Sequence, residues 1–316
     1  MPPIHVVVTG TISFDYIMDF SGRFGDRIMA DKIHSLSLSF LVDRLHKQFG
    51  GTAGNIAYTL NILGVVPWVL APAGRKDFEL YERHLKKHKI STKYISLHNH
   101  VSTSSYFVMT DSDDNQIGSF YLGATKFAKN LTISKVPKQS FVVLSATEPS
   151  AMNTYVLECA QKNFPYMYDP AFQVANFSAD ELKRGIEHAK ILIGNDYEIA
   201  LIEEKIGISH EELILLVPVL VTTLGAKGSI IETRHDAMHI KPATPKNISD
   251  PTGAGDAYRA GFVAGYLRGY DLPVCGQMGS VAAVYTVEKY GTQTHDFTKK
   301  EFIARYKENF GTTIKL

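Results

Sequence analysis

Six short apolar runs punctuate the chain, at 4–9, 66–71, 141–145, 166–168, 191–193 and 217–222, each bounded by polar or turn-forming residues. Runs this short, with little polar alternation, predict strands buried on both faces. Between them, at 55–63, 78–88, 151–163, 180–189 and 196–205, apolar residues recur at helical spacing. Strand and helix in alternation predict an α/β fold, a three-layer α/β/α domain whose central sheet is mostly parallel. In such sheets ligands bind beyond the carboxyl ends of the strands. Polar residues collect at those ends here, at Asp15, Asp169, Asn195, Gly225 and the turn 250–256.

Two stretches break the alternation. Residues 15–51 contain apolar runs without a long helical pattern, and 104–121 reads as a hairpin around the polar loop 111–115. Together they predict a small β-sheet lid. With no internal repeat, low-complexity tract or linker, a single domain over 1–316 is expected, with lid segments at about 15–50 and 101–123 inserted into it. Hydrophobic residues make up 45% of the chain, enough for a large core.

Charge narrows the partners. Thirty-three Lys and Arg against 32 Asp and Glu leave a net +1, without the basic excess of a nucleic-acid binder. No run approaches the ~18 uncharged apolar residues of a membrane span. The first residues lead straight into an apolar strand with no signal-peptide pattern. The two cysteines, Cys159 and Cys275, are isolated and read as buried apolar residues of a reducing compartment. A cytoplasmic protein, monomer or homodimer, is expected.

The most informative segment is Asp250-Pro251-Thr252-Gly253-Ala254-Gly255-Asp256, which runs directly into a helical stretch at 257–269. Thr252 to Gly255 would leave several backbone N–H groups converging at a helix N-terminus, where the peptide dipoles favour an anion. A carboxylate in the same turn is unfavourable there unless it has a task such as accepting a proton, so Asp256 beside an anion hole suggests phosphoryl transfer to an alcohol. The P-loop pattern is absent, as are the paired motifs of protein kinases and a Gly-x-Gly-x-x-Gly after the first strand. A second glycine turn, Gly50-Gly51-Thr52-Ala53-Gly54-Asn55, opens another helix. Its glycines allow close approach to the backbone, and Asn55 can donate and accept hydrogen bonds toward a hydroxylated ligand.

These two turns, about 200 residues apart, resemble the N- and C-terminal signatures of the ribokinase-like (PfkB) carbohydrate and nucleoside kinase family. The stretch Asn195-Asp196-Tyr197-Glu198 resembles the family's Asn-x-x-Glu element, which implies that Asn195 and Glu198 organise Mg²⁺ and its waters. The segment 222–228 resembles the one that lines the nucleotide, implying ATP contacts from Asn195, Thr223, Gly225, Lys227 and Gly228 together with Gly253 and Gly255. The resemblance also implies a monovalent cation, K⁺ for example, near Asp250 and Thr252.

Segments 20–24, 38–43, 116–121, 169–170 and 291–293 are similar to those of the family's bacterial adenosine kinases. That similarity implies a nucleoside site approached by Thr11, Asp15, Ser39, Gly51 and Asn55. Asp15 would hold the ribose hydroxyls, Tyr106 and Phe120 would pack on the purine, and Gln173 would lie near it. Asn176 departs from the subgroup, where a basic residue is expected.

The implied reaction transfers the ATP γ-phosphate to the adenosine 5′-hydroxyl, giving AMP and ADP as in purine salvage. Asp256 is expected as base and the amides of Gly253, Ala254 and Gly255 as the anion hole. A sugar kinase for ribose or fructose, an inosine or guanosine kinase, and a non-catalytic nucleoside-binding protein on the same fold are the alternatives. Two other patterns read as structural. His84 and His88 have metal-pair spacing, but the charged neighbours Glu82, Arg83, Lys86 and Lys87 predict a solvated helix face. Gly261, Gly265 and Gly269 predict close helix packing.

Overall fold

The computed structural model describes residues 5–29, 37–113 and 115–316. Ile4, the first residue of the first predicted strand, residues 30–36 of the lid and Asp114 of the hairpin loop lie outside the described residues. Thirteen strands and nine α-helices are described, besides short 3-10 turns. The strands are β1 His5–Thr9, β2 Ser13–Asp19, β3 Arg44–Gly50, β4 Pro67–Gly74, β5 Ile95–His98, β6 Ser104–Thr110, β7 Gln116–Tyr121, β8 Ser140–Ser145, β9 Tyr166–Asp169, β10 Ile191–Asn195, β11 Val219–Thr223, β12 Ser229–Glu232 and β13 Ala237–Ile240. The helices are α1 Thr52–Ile62, α2 Phe78–Lys87, α3 Pro149–Lys162, α4 Ala179–Glu187, α5 Asp196–Ile206, α6 His210–Leu216, α7 Ala254–Leu267, α8 Leu272–Val287 and α9 Lys299–Phe310.

Nine strands form one sheet in the order β13-β12-β11-β10-β9-β8-β1-β4-β5. All neighbours are parallel except β11–β12 and β12–β13, which close one edge as an antiparallel meander. Successive residues of a strand point to opposite faces, and in β1 Val6 and Val8 enter the core beneath α1, α7 and α8, whereas Val7 enters the one beneath α3, α4 and α5. Two apolar faces are why the predicted strands read as unbroken hydrophobic runs.

The register brings the functional carboxyl ends into line. Ser145 pairs with Asp169, and Asn195 pairs with Thr223. The lid is a separate four-stranded sheet, β3-β2-β6-β7, with β2 and β6 parallel and the other pairs antiparallel.

Helices α7 and α8 pack closely because a Cβ at Gly261 would come within 2.5 Å of the Met278 carbonyl oxygen, and one at Gly265 within 3.1 Å of the Cys275 Cα. Gly269 differs from the predicted packing role. The helix has already ended, and Gly269 takes φ +76° in the turn that follows, a conformation glycine adopts at little cost. Helix α8 escaped sequence detection because Cys275, Met278, Ser280, Val281 and Val284 bury it on nearly all sides, which erases amphipathic periodicity. Both cysteines are buried as free thiols. Among the described residues no helix is long and apolar enough to cross a membrane.

Candidate active site

The turn Asp250–Gly253 delivers α7 to the carboxyl ends of β9, β10 and β11. Gly253 adopts φ +79°, and a Cβ there would lie 2.8 Å from the Thr292 side chain, so the turn requires glycine. The Ala254 amide donates back to the Pro251 carbonyl (3.2 Å). Among the described residues the amides of Gly253, Gly255 and Asp256 have no hydrogen-bond acceptor. Three free amides therefore converge at the start of α7, and that of Ala254 is spent in the turn.

Asp256 sits at the floor of a cleft lined also by Thr52, Asn195, Glu198 and Arg259. Its Oδ2 accepts from Asn55 Nδ2 (2.8 Å), which joins the two glycine turns directly. Burial pushes its carboxyl up to about 6, while Arg259 and the Asn55 hydrogen bond pull the other way. A carboxylate poised there is ionised at neutral pH and still a competent proton acceptor.

The lid and the start of the glycine turn enclose a cavity of about 280 Å³ lined by Asp15, Gln48, Tyr106, Asp250, Thr252, Tyr290 and neighbours. Asp15 is buried, accepts from Ser13 Oγ (3.0 Å), and is raised to about 6 by burial, which the Ser13 hydrogen bond opposes and the Asp250 charge reinforces. Gly50 makes room for it, since a Cβ there would fall 2.0 Å from Asp15 Oδ2. Tyr106 and Phe120 are direct partners across β6 and β7 and therefore share one face of the lid, with Gly118 on that face clearing the Tyr106 ring.

Gly51 (φ +89°) allows the start of α1 to close on Thr11. The Thr11 carbonyl accepts from the Ala53 amide (3.0 Å), and Thr11 Oγ1 accepts from the Thr52 amide (3.1 Å). Ser39 is exposed, and Gln173 is tied to the Thr147 carbonyl (2.8 Å) and to Asn176 (2.7 Å); neither lines the cavity beside Tyr106.

A mostly apolar cavity of about 460 Å³ is bounded by Thr223, Gly225, Gly228, Gly255, Tyr258 and Val284. Gly228 (φ +93°) passes so close to the Ile240 carbonyl that a Cβ would lie 2.1 Å from it. Lys227 is exposed and outside this lining.

Asn195 and Glu198 form the reciprocal capping box of α5, each side chain accepting the other's backbone N–H at 2.8 Å. Both also face the Asp256 cleft. This donor set suits a hard cation that stays with its phosphates and waters, with one carboxylate nearby and no all-protein cage. The Asp250 carboxylate accepts from the amides of Thr252 (2.9 Å) and Gly291 (3.2 Å), which places one anionic group between those two loops.

Sequence reasoning missed Arg259. One turn along α7 from Asp256, it is buried, and its Nη2 lies 2.6 Å from Asp169 Oδ1 and 4.0 Å from Glu198. Burial works against its charge, but the attraction of Asp169 outweighs that and keeps the guanidinium firmly protonated. Gly255 leaves the space, since a Cβ there would be 2.8 Å from Arg259 Nη1. The i, i+3 spacing from Asp256 was the available signal.

His84 corrects the solvated-face reading of α2. Its ring stacks on Phe49 (centroids 4.0 Å apart), and its Nε2 is 3.0 Å from Gln293 Oε1. Tyr81, His84, Leu85 and His88 share a helical stripe, and the charged residues between them point elsewhere.

A carboxylate at the start of a glycine-led helix, under a β-sheet lid on a three-layer α/β/α domain, defines a ribokinase-like phosphotransferase that carries the phosphoryl group of ATP to an alcohol. The chain belongs to the pfkB family of carbohydrate kinases, whose family model matches residues 7–299.

It is 34% identical to a nucleoside kinase of Methanothermobacter thermautotrophicus over 97% of this chain and 96% of that protein. The nucleoside kinase of Methanocaldococcus jannaschii is 31% identical over 96% and 97% of the two chains. The structure of the Burkholderia thailandensis nucleoside kinase in complex with inosine superposes with a TM-score of 0.90 at 31% identity, covering 98% of this chain and all of the other. A Thermotoga maritima ribokinase, at 20% identity and TM-score 0.79, shares the fold.

Proposed function

We propose that the chain is a purine-nucleoside kinase that transfers the γ-phosphate of ATP to the 5′-hydroxyl of adenosine, giving AMP and ADP. The observation that carries this reading is the turn 250–256, whose Asp250 and Thr252 line the cavity under the lid, whose Gly255 lines the apolar cavity, and whose Asp256 lines the cleft.

The acceptor would bind with its ribose diol on Asp15, a buried carboxylate able to accept two hydrogen bonds, and its purine against Tyr106 and Phe120. Thr11, Ser39, Gly51 and Gln173 would complete its surroundings. Asp256 takes the 5′-hydroxyl proton as the new P–O bond forms, and the bond to the ADP leaving group breaks on the opposite side. The free amides of Gly253, Gly255 and Asp256 would stabilise charge on the transferring group. The ATP base would occupy the apolar cavity beside Thr223, Gly225 and Gly228, with Lys227 at its outer edge. Mg²⁺ would be held near Asn195 and Glu198 through water and would neutralise phosphate charge; K⁺ or another monovalent cation would sit by Asp250 and Thr252. Closure of the lid would exclude water from the phosphoryl group.

Inosine is the second reading, because the Burkholderia kinase of similar fold was solved with that nucleoside. ADP release measured with adenosine, inosine, guanosine, cytidine, ribose and fructose decides between them. The highest kcat/KM is expected with adenosine. A sugar leading the series would overturn the nucleoside assignment, and inosine leading it would move the assignment within the purines.

A further inference from the structure

The hydrogen bonds behind Asp256 run in one direction. Asn55 Oδ1 accepts from Gln293 Nε2 (2.9 Å), and the Thr292 hydroxyl, whose single proton is shared between that oxygen (2.8 Å) and the Phe49 carbonyl (2.8 Å), lies against it as well. The amide nitrogen of Asn55 is thereby forced toward Asp256 Oδ2, 2.8 Å away. Gln293 is fixed in turn. Its Nε2 also donates to Tyr81 Oη (2.7 Å), Tyr81 donates to the Gly50 carbonyl (2.8 Å), and the remaining acceptor, Gln293 Oε1, faces His84 Nε2 at 3.0 Å. Since Gln293 Oε1 can only accept, His84 carries its proton on Nε2. Burial drops the imidazole to about 4, so it is neutral at physiological pH.

Donors and acceptors alternate in one consistent order from His84 through Gln293 and Asn55 to Asp256. Gly54 makes the arrangement sterically possible, because a Cβ there would lie 2.0 Å from Tyr81 Oη and 2.9 Å from Gln293 Nε2.

We propose that Gln293 is a positioning residue for Asp256, which it orients through Asn55, and that it makes Asn55 a donor only. This deepens the kinase reading and rests on Asp256 being its base. It revises the sequence expectation that Asn55 both donates and accepts toward a ligand. With Oδ1 turned to Gln293 and one N–H given to Asp256, Asn55 keeps a single N–H for the substrate, which must present an acceptor oxygen to it. A polar chain of this kind acts as a unit, and reversing one member reverses its neighbours.

Gln293→Glu is the direct test, since it keeps the shape and replaces the donor facing Asn55 with an acceptor. Asn55 must then turn its carbonyl toward Asp256, placing two acceptors in contact. Gln293→Met, which removes polarity but keeps length, is the second variant. The groups that also face Asp256 are Arg259 on its own helix, Asp169 and Glu198 from the strand ends, and Asp15 from the lid. They are unchanged in both variants.

At pH 7, Gln293→Glu should lower kcat at least ~10-fold, the scale of a lost hydrogen bond to a charged group. KM for ATP should move less than about threefold, and kcat should recover toward pH 9 as the acid limb shifts upward. Gln293→Met should fall between this variant and the wild type. A kcat that falls only in proportion to the loss of folded protein seen by circular dichroism, with an unmoved acid limb, would overturn the positioning role. So would unchanged kinetics in both variants. Asp256→Asn is run alongside. If it keeps near-native turnover the base assignment itself fails, whereas an inactive Asp256→Asn beside a wild-type-like Gln293→Glu sinks only the inference about Gln293.

Discussion

At the floor of the cleft Asn55, Asp169, Asp256 and Arg259 each have a polar side-chain partner within 3 Å. In the lid sheet above, Phe120, on the same face as Tyr106, stands 42% exposed. The floor holds two carboxylates and one guanidinium in little water, and buried charge is tolerable only when it is paired and hydrogen-bonded. Its geometry is consequently fixed before any ligand arrives, as electrostatic catalysis requires. The lid spends its aromatic area differently, because rings left partly in water gain burial only when something is placed beneath them. Substitutions in the floor should therefore cost folding or turnover, and substitutions on the Tyr106 face of the lid should cost acceptor affinity.

Arg259 gives the largest expected effect. Arg259→Met removes the cation from Asp169, whose carboxylate is almost completely buried and otherwise bonded to Ser145 Oγ (2.9 Å). An uncompensated buried charge costs about 3–5 kcal/mol of stability, and chemical denaturation should register a loss of that size. Arg259→Lys, which keeps the charge and loses the planar fork, should recover part of it. A loss below about 1 kcal/mol would mean that the ion pair does not anchor the floor.

Asp256 comes next. Asp256→Asn should leave nucleoside binding largely intact and reduce kcat by at least ~10², the scale of general-base removal. The pH dependence follows from the raised carboxyl. Below about 6 the base is protonated and inactive, so kcat should rise with pH through that value and level off above it. The same shift has a stability consequence of definite sign. Because the folded state holds this proton more tightly than an unfolded chain, the contribution of Asp256 to stability is greatest below the ordinary carboxylate range and declines as pH rises through about 6. An acid limb near 4 would show the carboxyl to be solvated and the floor open.

The mostly parallel sheet and the glycine turns were legible because each rests on a local rule. Apolar runs buried on both faces mark parallel strands, and positive-φ positions such as Gly51 and Gly253 have few substitutes. What escaped was set by distance in space. Gln293 and Asn55 are separated by 238 residues, and nothing local to the Gly291-Thr292-Gln293 turn announces that its amide fixes another amide across the cleft. Arg259 was visible only as a charge in a helix rich in small residues. His84 was misread because its sequence neighbours were weighed in place of its helical neighbours Tyr81 and His88, which share its buried stripe. Composition likewise could not separate the two lid faces, whereas the β6–β7 register does.

That register supports the smallest and most discriminating test. Tyr106 and Phe120 are cross-strand partners on one face, whereas Phe107 lies on the other face, stacked on Tyr16 with centroids 4.8 Å apart. Phe120→Ala should weaken adenosine binding severalfold, since an aromatic contact contributes about 0.5–1.5 kcal/mol beyond area burial. A ribose-sized acceptor has no base to stack and should be little affected. Phe107→Ala removes the same side chain from the same sheet and should leave KM for both acceptors within about twofold, because its ring faces away from the cavity. Thermal unfolding separates binding from folding. Loss of a core aromatic costs about 3–5 kcal/mol, and neither of these half-exposed rings should approach that figure. Equal weakening of adenosine and ribose by Phe120→Ala, or equal effects of the two alanine variants on adenosine, would show that the lid holds its acceptor by shape alone and would favour a sugar over a nucleoside.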